Sequence, residues 1–139
     1  MPAVGDIFHA LSALAAGGAT ASGWTAAVIV ANTSFDGLDH GRADRHLRRV
    51  LVNTAGFQAI LLAIAAALAV LSGAWAAFVT SAIAALGFFS NVWTLAPRKD
   101  KTPEGMHRRH STMRIVAVAL SLIFTLTALT AGVLAALGI

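Results

Sequence analysis

The sequence predicts an all-α fold, an integral membrane bundle of four helices, from its charge-free stretches and its composition. Residues 50–97 contain no charged side chain, and neither do residues 7–35 or 115–139. One membrane-spanning helix needs about 20 apolar residues, so the longest stretch accommodates two spans and each of the others accommodates one. Hydrophobic residues make up 58% of the chain and charged residues 12%, against ~25% charged in an ordinary soluble domain.

The expected spans form a single transmembrane domain over residues 1–139, made of two antiparallel hairpins. Ser72-Gly73 lies near the middle of the longest charge-free stretch and marks the turn between its two spans. The expected spans are residues 7–33, 50–71, 74–96 and 115–138. Residues 1–6 carry no Lys or Arg, whereas a cleaved signal peptide begins with a basic segment, so we expect the first span to be retained.

The basic residues predict which way the bundle faces. All ten Lys and Arg lie in two segments between spans, residues 36–49 and 98–114. Four alternating spans place both segments on one side, and the positive-inside rule makes that side cytoplasmic, with the topology N-out and C-out. We therefore expect a multi-pass protein of the cell membrane, in the inner membrane of a bacterium. Its basic loops should meet anionic lipid headgroups rather than nucleic acid.

Small residues recur every four positions in the first span. One row is Ala13, Gly17, Ala21 and Thr25, and a second row is Gly18, Ser22 and Ala26. Small residues at this spacing let helix backbones approach closely, which is how membrane helices associate. We expect these rows to form helix–helix contacts, within the bundle or in a homo-oligomer or larger membrane complex.

Four of the five histidines lie in the two basic segments, His40 and His46 in the first, His107 and His110 in the second. Because both segments lie at the cytoplasmic mouth, His46, His107 and His110 are candidate ligands of a transition metal. The alternative is that they are solvated residues beside the arginines. His9 stands alone at the other end, which excludes an intramembrane haem held by two histidines. The chain has no cysteine, which excludes disulfides and thiolate ligands.

Neutral polar residues occur inside the spans, whereas Asp, Glu, Lys and Arg do not. The absence of charged residues argues against a proton-driven exporter. Asn and Gln are costly in hydrocarbon unless they have a partner. The candidate residues of a substrate pocket open to the cytoplasm are Asn53, Gln58, Asn91 and Trp93. The alternative is hydrogen bonding between helices that fixes their packing.

The exit of the third span reads Asn91-Val-Trp-Thr-Leu-Ala-Pro97, and a basic segment with His110 precedes Arg114, which opens the last span. With the glycine-rich stretch from Gly17 to Trp24, this pattern resembles the anthrone-oxygenase-like family of small four-span bacterial membrane proteins. The resemblance implies a four-helix membrane bundle and, for some members, oxidation of aromatic polyketides. It implies Asn91, His110 and Arg114 as catalytic candidates, with Pro97 carried over by position.

Two function classes follow from these features. The first is a membrane oxidoreductase that takes a lipophilic substrate from the bilayer into a histidine-containing pocket at the cytoplasmic mouth. The second is a non-enzymatic protein, an accessory subunit or a small transport or pore component, which assembles through its small-residue helix faces. Stoichiometric transition metal in the purified protein would favour the first class.

Overall fold

The computed structural model of the chain describes residues 4–37, 40–95 and 106–139, with the backbone alone at 35–37, 40–41, 44, 95 and 106–114. These described ranges are helical apart from the turns, and they contain no strand. The elements are α1 (Val4–Trp24), a π-helix that continues it (Thr25–Val30), α2 (Ala31–Gly37), α3 (His40–Ser72), α4 (Trp75–Leu95) and α5 (Met106–Leu137).

Four helical segments are long and apolar enough to cross a membrane, as the sequence predicts. They are Val4–Ser34, Arg45–Ser72, Trp75–Thr94 and Ile115–Leu137. One difference concerns the two segments expected as loops. Because α3 begins at His40 and α5 at Met106, much of the first basic segment and the end of the second are helical. Arg, Ala, Leu and Met favour helix, and no proline interrupts either stretch.

The four long helices form a ring in which each packs on two neighbours. Helix α1 packs on α3 and α5, and α4 packs on the same two helices from the other side. The diagonal pair α3 and α5 makes few contacts. Neighbouring helices are antiparallel, so residues that are distant in the sequence meet at a common level of the bundle.

Two glycines with left-handed backbone conformation end helices α3 and α5 at one end of the bundle. Gly73, with φ of +80°, follows α3, and the N–H groups of Gly73 and Ala74 bond back to its last turn at 3.1 and 2.9 Å. Gly138, with φ of +73°, closes α5 in the same way. The carbonyl oxygen of Ile139 then accepts a hydrogen bond from Ala77 N–H at 3.1 Å. That bond satisfies a donor in the first turn of α4, which has no partner within its own helix.

The interior of the bundle is built mainly from alanine. Of the 21 buried apolar residues in the described part of the chain, 17 are alanine, and the other four are Leu47, Leu51, Leu62 and Phe88. A Cβ built on Gly132 of α5 would lie 3.5 Å from the Cβ of Ala16 and 3.7 Å from the backbone nitrogen of Gly17 in α1. Small residues therefore allow the close helix approach that is typical of membrane bundles.

Large apolar side chains point away from this interior on all four long helices. Leu14 of α1 is 72% exposed, Ile60 of α3 62%, Leu86 of α4 67% and Leu126 of α5 58%. Each lies within its apolar segment and not at an end. Water-soluble monomers rarely expose contiguous apolar patches larger than a few hundred Å². The bundle thus has small residues inside and large apolar residues outside.

The face of α1 that packs in the bundle differs from the first of the two rows expected. The buried residues of α1 are Ser12, Ala16, Ala19 and Gly23. Gly17 and Ala21 are exposed, and a Cβ on Gly17 would meet nothing within 4 Å, so these two side chains do not pack inside this bundle, and a contact of that row with another chain stays a prediction. A row of every fourth residue drifts by about 40° per step around a helix of 3.6 residues per turn. The packed face instead alternates steps of four and three.

Candidate functional site

A group of buried polar side chains lies between the middle of the bundle and the end of α4. It consists of Gln58, Asn91, Ser121 and Thr125, none of which is more than 5% exposed. These side chains come from α3, α4 and α5 and face the interior, where the backbone of α1 meets them. Because a buried polar group without a partner is costly, the hydrogen bonds of this polar cluster indicate what it does.

Gly23 is the point at which α1 meets the polar cluster. With its amide oriented to suit its neighbours, Gln58 accepts a hydrogen bond from Gly23 N–H at 2.7 Å and donates to Thr54 O at 3.3 Å. A Cβ on Gly23 would lie 2.9 Å from the terminal amide of Gln58 and would overlap the Thr125 hydroxyl. The contact between α1 and its two neighbours therefore requires glycine at this position.

The turn of α1 that follows Gly23 is wider than an α-helical turn. Residues Thr25–Val30 form a π-helix, whose buried residues are the adjacent Ala26 and Ala27. A π-helical turn adds one residue to the helix and so rotates everything after it. Before the turn, buried positions of α1 are three or four residues apart. Because of the added residue, the helix keeps a buried face both before and after its contact at Gly23.

A second set of hydrogen bonds joins α4 to α5. Asn91 donates from Nδ2 to the hydroxyl of Ser121 at 3.1 Å. Thr125 donates to the carbonyl oxygen of Ser121 at 2.7 Å, and Thr94 donates to Oδ1 of Asn91 at 3.4 Å. The polar cluster thus ties α1 to α3 and α4 to α5. Its members are neutral amides and hydroxyls, which hold helices together but supply neither a general base nor a charged metal ligand.

The four candidate pocket residues lie on two opposite faces. Gln58 and Asn91 face the interior, and each is 2% exposed. Asn53 is exposed on α3, and Trp93 is 73% exposed on α4, with its ring 6.3 Å from that of Phe89. The structure thus places one pair in the interior and the other pair at the surface, and a substrate pocket lined by all four residues stays a prediction.

The candidate metal ligands are only partly within the described residues. His46 is exposed on α3 between Arg45, also exposed, and the buried Leu47. The side chains of His107, His110 and Arg114 lie outside those described, as does Pro97, so their roles stay predictions. Within the described ranges, no three His, Cys, Asp or Glu residues form a group that could hold a metal ion.

Sequence reasoning missed two residues that fix the helix packing. Gly23 stands out in the sequence only as part of a glycine-rich stretch. Ser12 is fully buried and donates to the carbonyl oxygen of Ala65 at 2.9 Å, which joins α1 to α3 in the other half of the bundle. Ser22, by contrast, bonds to Ala19 within its own helix. Sequence alone does not distinguish these two serines.

Comparisons of the chain with protein-family models, with characterised proteins and with solved structures find no match. The resemblance to the anthrone-oxygenase-like family therefore stays a prediction.

The hydrogen bond between Asn91 and Ser121 can be tested by replacing Asn91 with leucine. We expect the free energy of unfolding in detergent to fall by about 1 kcal/mol, the usual size of a hydrogen bond between membrane helices. The matched control is Ser90→Ala, because Ser90 is exposed and bonds to Leu86 in its own helix. An equal loss in the control variant would contradict a packing role for Asn91.

Proposed function

We propose that this chain is a four-span integral membrane protein that works as a non-enzymatic membrane component, with a basic cytoplasmic end that binds anionic lipid headgroups. The observation that carries the proposal is the distribution of side-chain size, with alanine inside and large apolar residues outside on every long helix. In water, exposing each Leu or Ile forgoes about 1.5–3 kcal/mol of burial free energy. In a bilayer that cost disappears, because lipid is as apolar as these side chains.

The proposed orientation places the start of α3 in the cytoplasm. Arg42, Arg45 and Arg49 are exposed there. Two spans separate them from the six basic residues of segment 98–114, so the proposed topology places both basic segments on the same side of the membrane. Each Lys or Arg close to an anionic membrane surface contributes about 1 kcal/mol to its attraction. The basic end therefore fixes topology and attracts anionic headgroups.

The arrangement of the polar cluster favours the non-enzymatic class over the membrane oxidoreductase. Gln58 and Asn91 make hydrogen bonds to other helices, so their polar groups are used for packing. Asn53 and Trp93, which a substrate pocket would need beside them, face the other way. A subunit that contributes four packed helices to a membrane assembly accounts for these features without a catalytic centre.

Single-cysteine labelling tests insertion and orientation together, because the chain has no cysteine of its own. Gly41→Cys marks the start of α3, and Ser72→Cys marks the turn between α3 and α4. We expect an impermeant maleimide to label the Ser72→Cys variant in intact cells and the Gly41→Cys variant only after the membrane is opened. We also expect the protein to stay in the membrane pellet under alkaline carbonate.

Each failure has a separate meaning. The reverse labelling pattern would show that the orientation is wrong. Labelling of both sites in intact cells would contradict the odd number of spans between them. Extraction by carbonate would reject membrane insertion itself.

A further inference from the structure

The outer face of α3 changes its chemistry in a fixed order along the helix. Arg45, Arg49 and Asn53 are exposed and lie four residues apart, so they share one face. The same face continues with the exposed Phe57 and Ile60. It therefore passes from cationic to neutral polar to apolar, which is also the order of groups in a phospholipid with an anionic headgroup.

The position of Asn53 along the bundle corresponds to the boundary of the hydrocarbon core. Asn53 precedes Gly73 by 20 residues, which is about 30 Å of helix. The hydrocarbon core of a bilayer is also about 30 Å thick. With the turn at Gly73 at one surface, Asn53 lies at the opposite boundary. Arg49 lies about 6 Å beyond it, at the depth of the headgroups, and Arg45 follows one turn later.

Trp93 of α4 lies at the same level as Asn53. It follows Gly73 by 20 residues, and α4 packs on α3. Its side chain is 73% exposed, and Trp75, 65% exposed, lies 18 residues earlier in the same helix, about 27 Å away. The two tryptophans are thus separated by nearly one hydrocarbon thickness, as expected for side chains at the two interfaces of a bilayer. There the indole N–H can donate to a lipid.

The amide of Asn53 has no hydrogen-bond partner within the described part of the chain. The neighbouring Thr54, by contrast, donates to the carbonyl oxygen of Val50 at 2.7 Å. An amide at the edge of the hydrocarbon is costly unless it has a partner. The ester carbonyl groups of a phospholipid lie at this depth and accept hydrogen bonds, so they can supply that partner.

We propose that the outer face of α3, together with Trp93, binds one phospholipid with an anionic headgroup. Arg45 and Arg49 bind its phosphate, for which the planar guanidinium is well suited. Asn53 and the indole N–H of Trp93 donate to the ester carbonyl oxygens. The acyl chains continue along the apolar face that begins at Phe57.

Charge complementarity decides which headgroup this face prefers. Phosphatidylglycerol carries a net negative charge, whereas phosphatidylethanolamine also carries an ammonium group, which the arginines repel. A soluble anion would use the arginines but would leave Asn53 without a partner and the apolar face uncovered. The inference names a particular site and lipid class for the basic end, and it rests on the membrane insertion and orientation proposed above.

Native mass spectrometry of the intact chain can test the inference. The protein is reconstituted in bilayers with equal amounts of phosphatidylglycerol and phosphatidylethanolamine, then released, and its bound lipids are identified. We expect the wild type to retain phosphatidylglycerol over phosphatidylethanolamine. In the double variant Arg45→Gln with Arg49→Gln we expect about tenfold weaker retention and no preference. The matched control, Lys99→Gln with Lys101→Gln, removes the same charge from the other basic segment and should retain the lipid as the wild type does.

A second pair of variants tests the site without changing any charge. Asn53→Leu with Trp93→Phe removes both donors to the ester groups. Both positions are exposed, so folding should be preserved while retention of phosphatidylglycerol falls about fivefold. Asn32→Leu with Trp24→Phe makes the same two exchanges at exposed positions of the first span, and retention should not change.

Each contrary result has its own meaning. Equal retention of the two lipids by the wild type would overturn the proposed headgroup. Equal losses in the arginine and lysine variants would overturn a localised site and leave only a general attraction of the basic end for anionic lipid. Unchanged retention after loss of Asn53 and Trp93 would overturn their contact with the ester groups. Cysteine labelling tests insertion and orientation independently, so a correctly inserted protein without lipid preference rejects this inference alone.

Discussion

Replacing Gly23 with valine is expected to lower the free energy of unfolding by about 3 kcal/mol or more. The new Cβ would overlap the Thr125 hydroxyl and stand 2.9 Å from the Gln58 amide, and overpacking a filled interior costs about 1–3 kcal/mol. Moving α1 outward to relieve the overlap would break the hydrogen bond from Gly23 N–H to Gln58 and leave a buried amide unpaired. Unfolding of the purified protein in detergent measures the loss.

Gly17→Val is the matched control for this prediction. It makes the same exchange in the same helix, so the change in helix propensity cancels. Gly17 is exposed and a Cβ there meets nothing within 4 Å, so we expect a change within about 0.5 kcal/mol, as for an ordinary surface substitution. Equal losses in the two variants would contradict the packed face assigned to α1.

A second substitution can show that the overlap itself causes the loss. Thr125→Ala removes the two Thr125 atoms that the Cβ at position 23 would meet. Combined with Gly23→Val, it should recover part of the lost stability, so the two changes together should cost less than the sum of their separate costs. Strict additivity would indicate that Gly23 and Thr125 are not in contact.

The four long apolar helices of this protein could be predicted from the sequence because charged residues mark their limits. Residues 50–97 hold no charged side chain, and the structure places α3, a turn at Gly73 and α4 across that stretch. The extension of α3 back to His40 could not be predicted from hydropathy. Hydropathy reports which residues tolerate lipid, whereas helix formation continues through arginines that do not.

The packed face of each helix was harder to predict than the spans. In a soluble helix, polarity separates the inner face from the outer one. Here both faces are apolar, and side-chain size separates them instead, as with the buried Ala65 and the exposed Ile64. Gly17 and Gly23 therefore look alike in the sequence, although only Gly23 is buried. The partner of Gln58 is a backbone N–H, which has no signature in the sequence.

We expect the second large loss of stability from replacing Ala65 of α3 with leucine. Ala65 is fully buried in a core cluster that includes Ala16 and Leu62, and its carbonyl oxygen accepts the hydrogen bond from Ser12. The larger side chain would force α1 and α3 apart, so we expect a loss of about 3 kcal/mol. Unfolding in detergent measures it.

Ala67→Leu is the matched control for Ala65→Leu. Ala67 lies two residues further along α3 and is exposed, so a leucine there would add apolar surface that faces lipid in the proposed membrane orientation. We expect no loss of stability in a bilayer or in detergent. In a water-soluble bundle the same leucine would enlarge an exposed apolar patch and promote association. Tolerance of leucine at Ala67 together with a large loss at Ala65 would therefore support both the packed interior and the lipid-facing surface, whereas tolerance at both sites would contradict a tightly packed core.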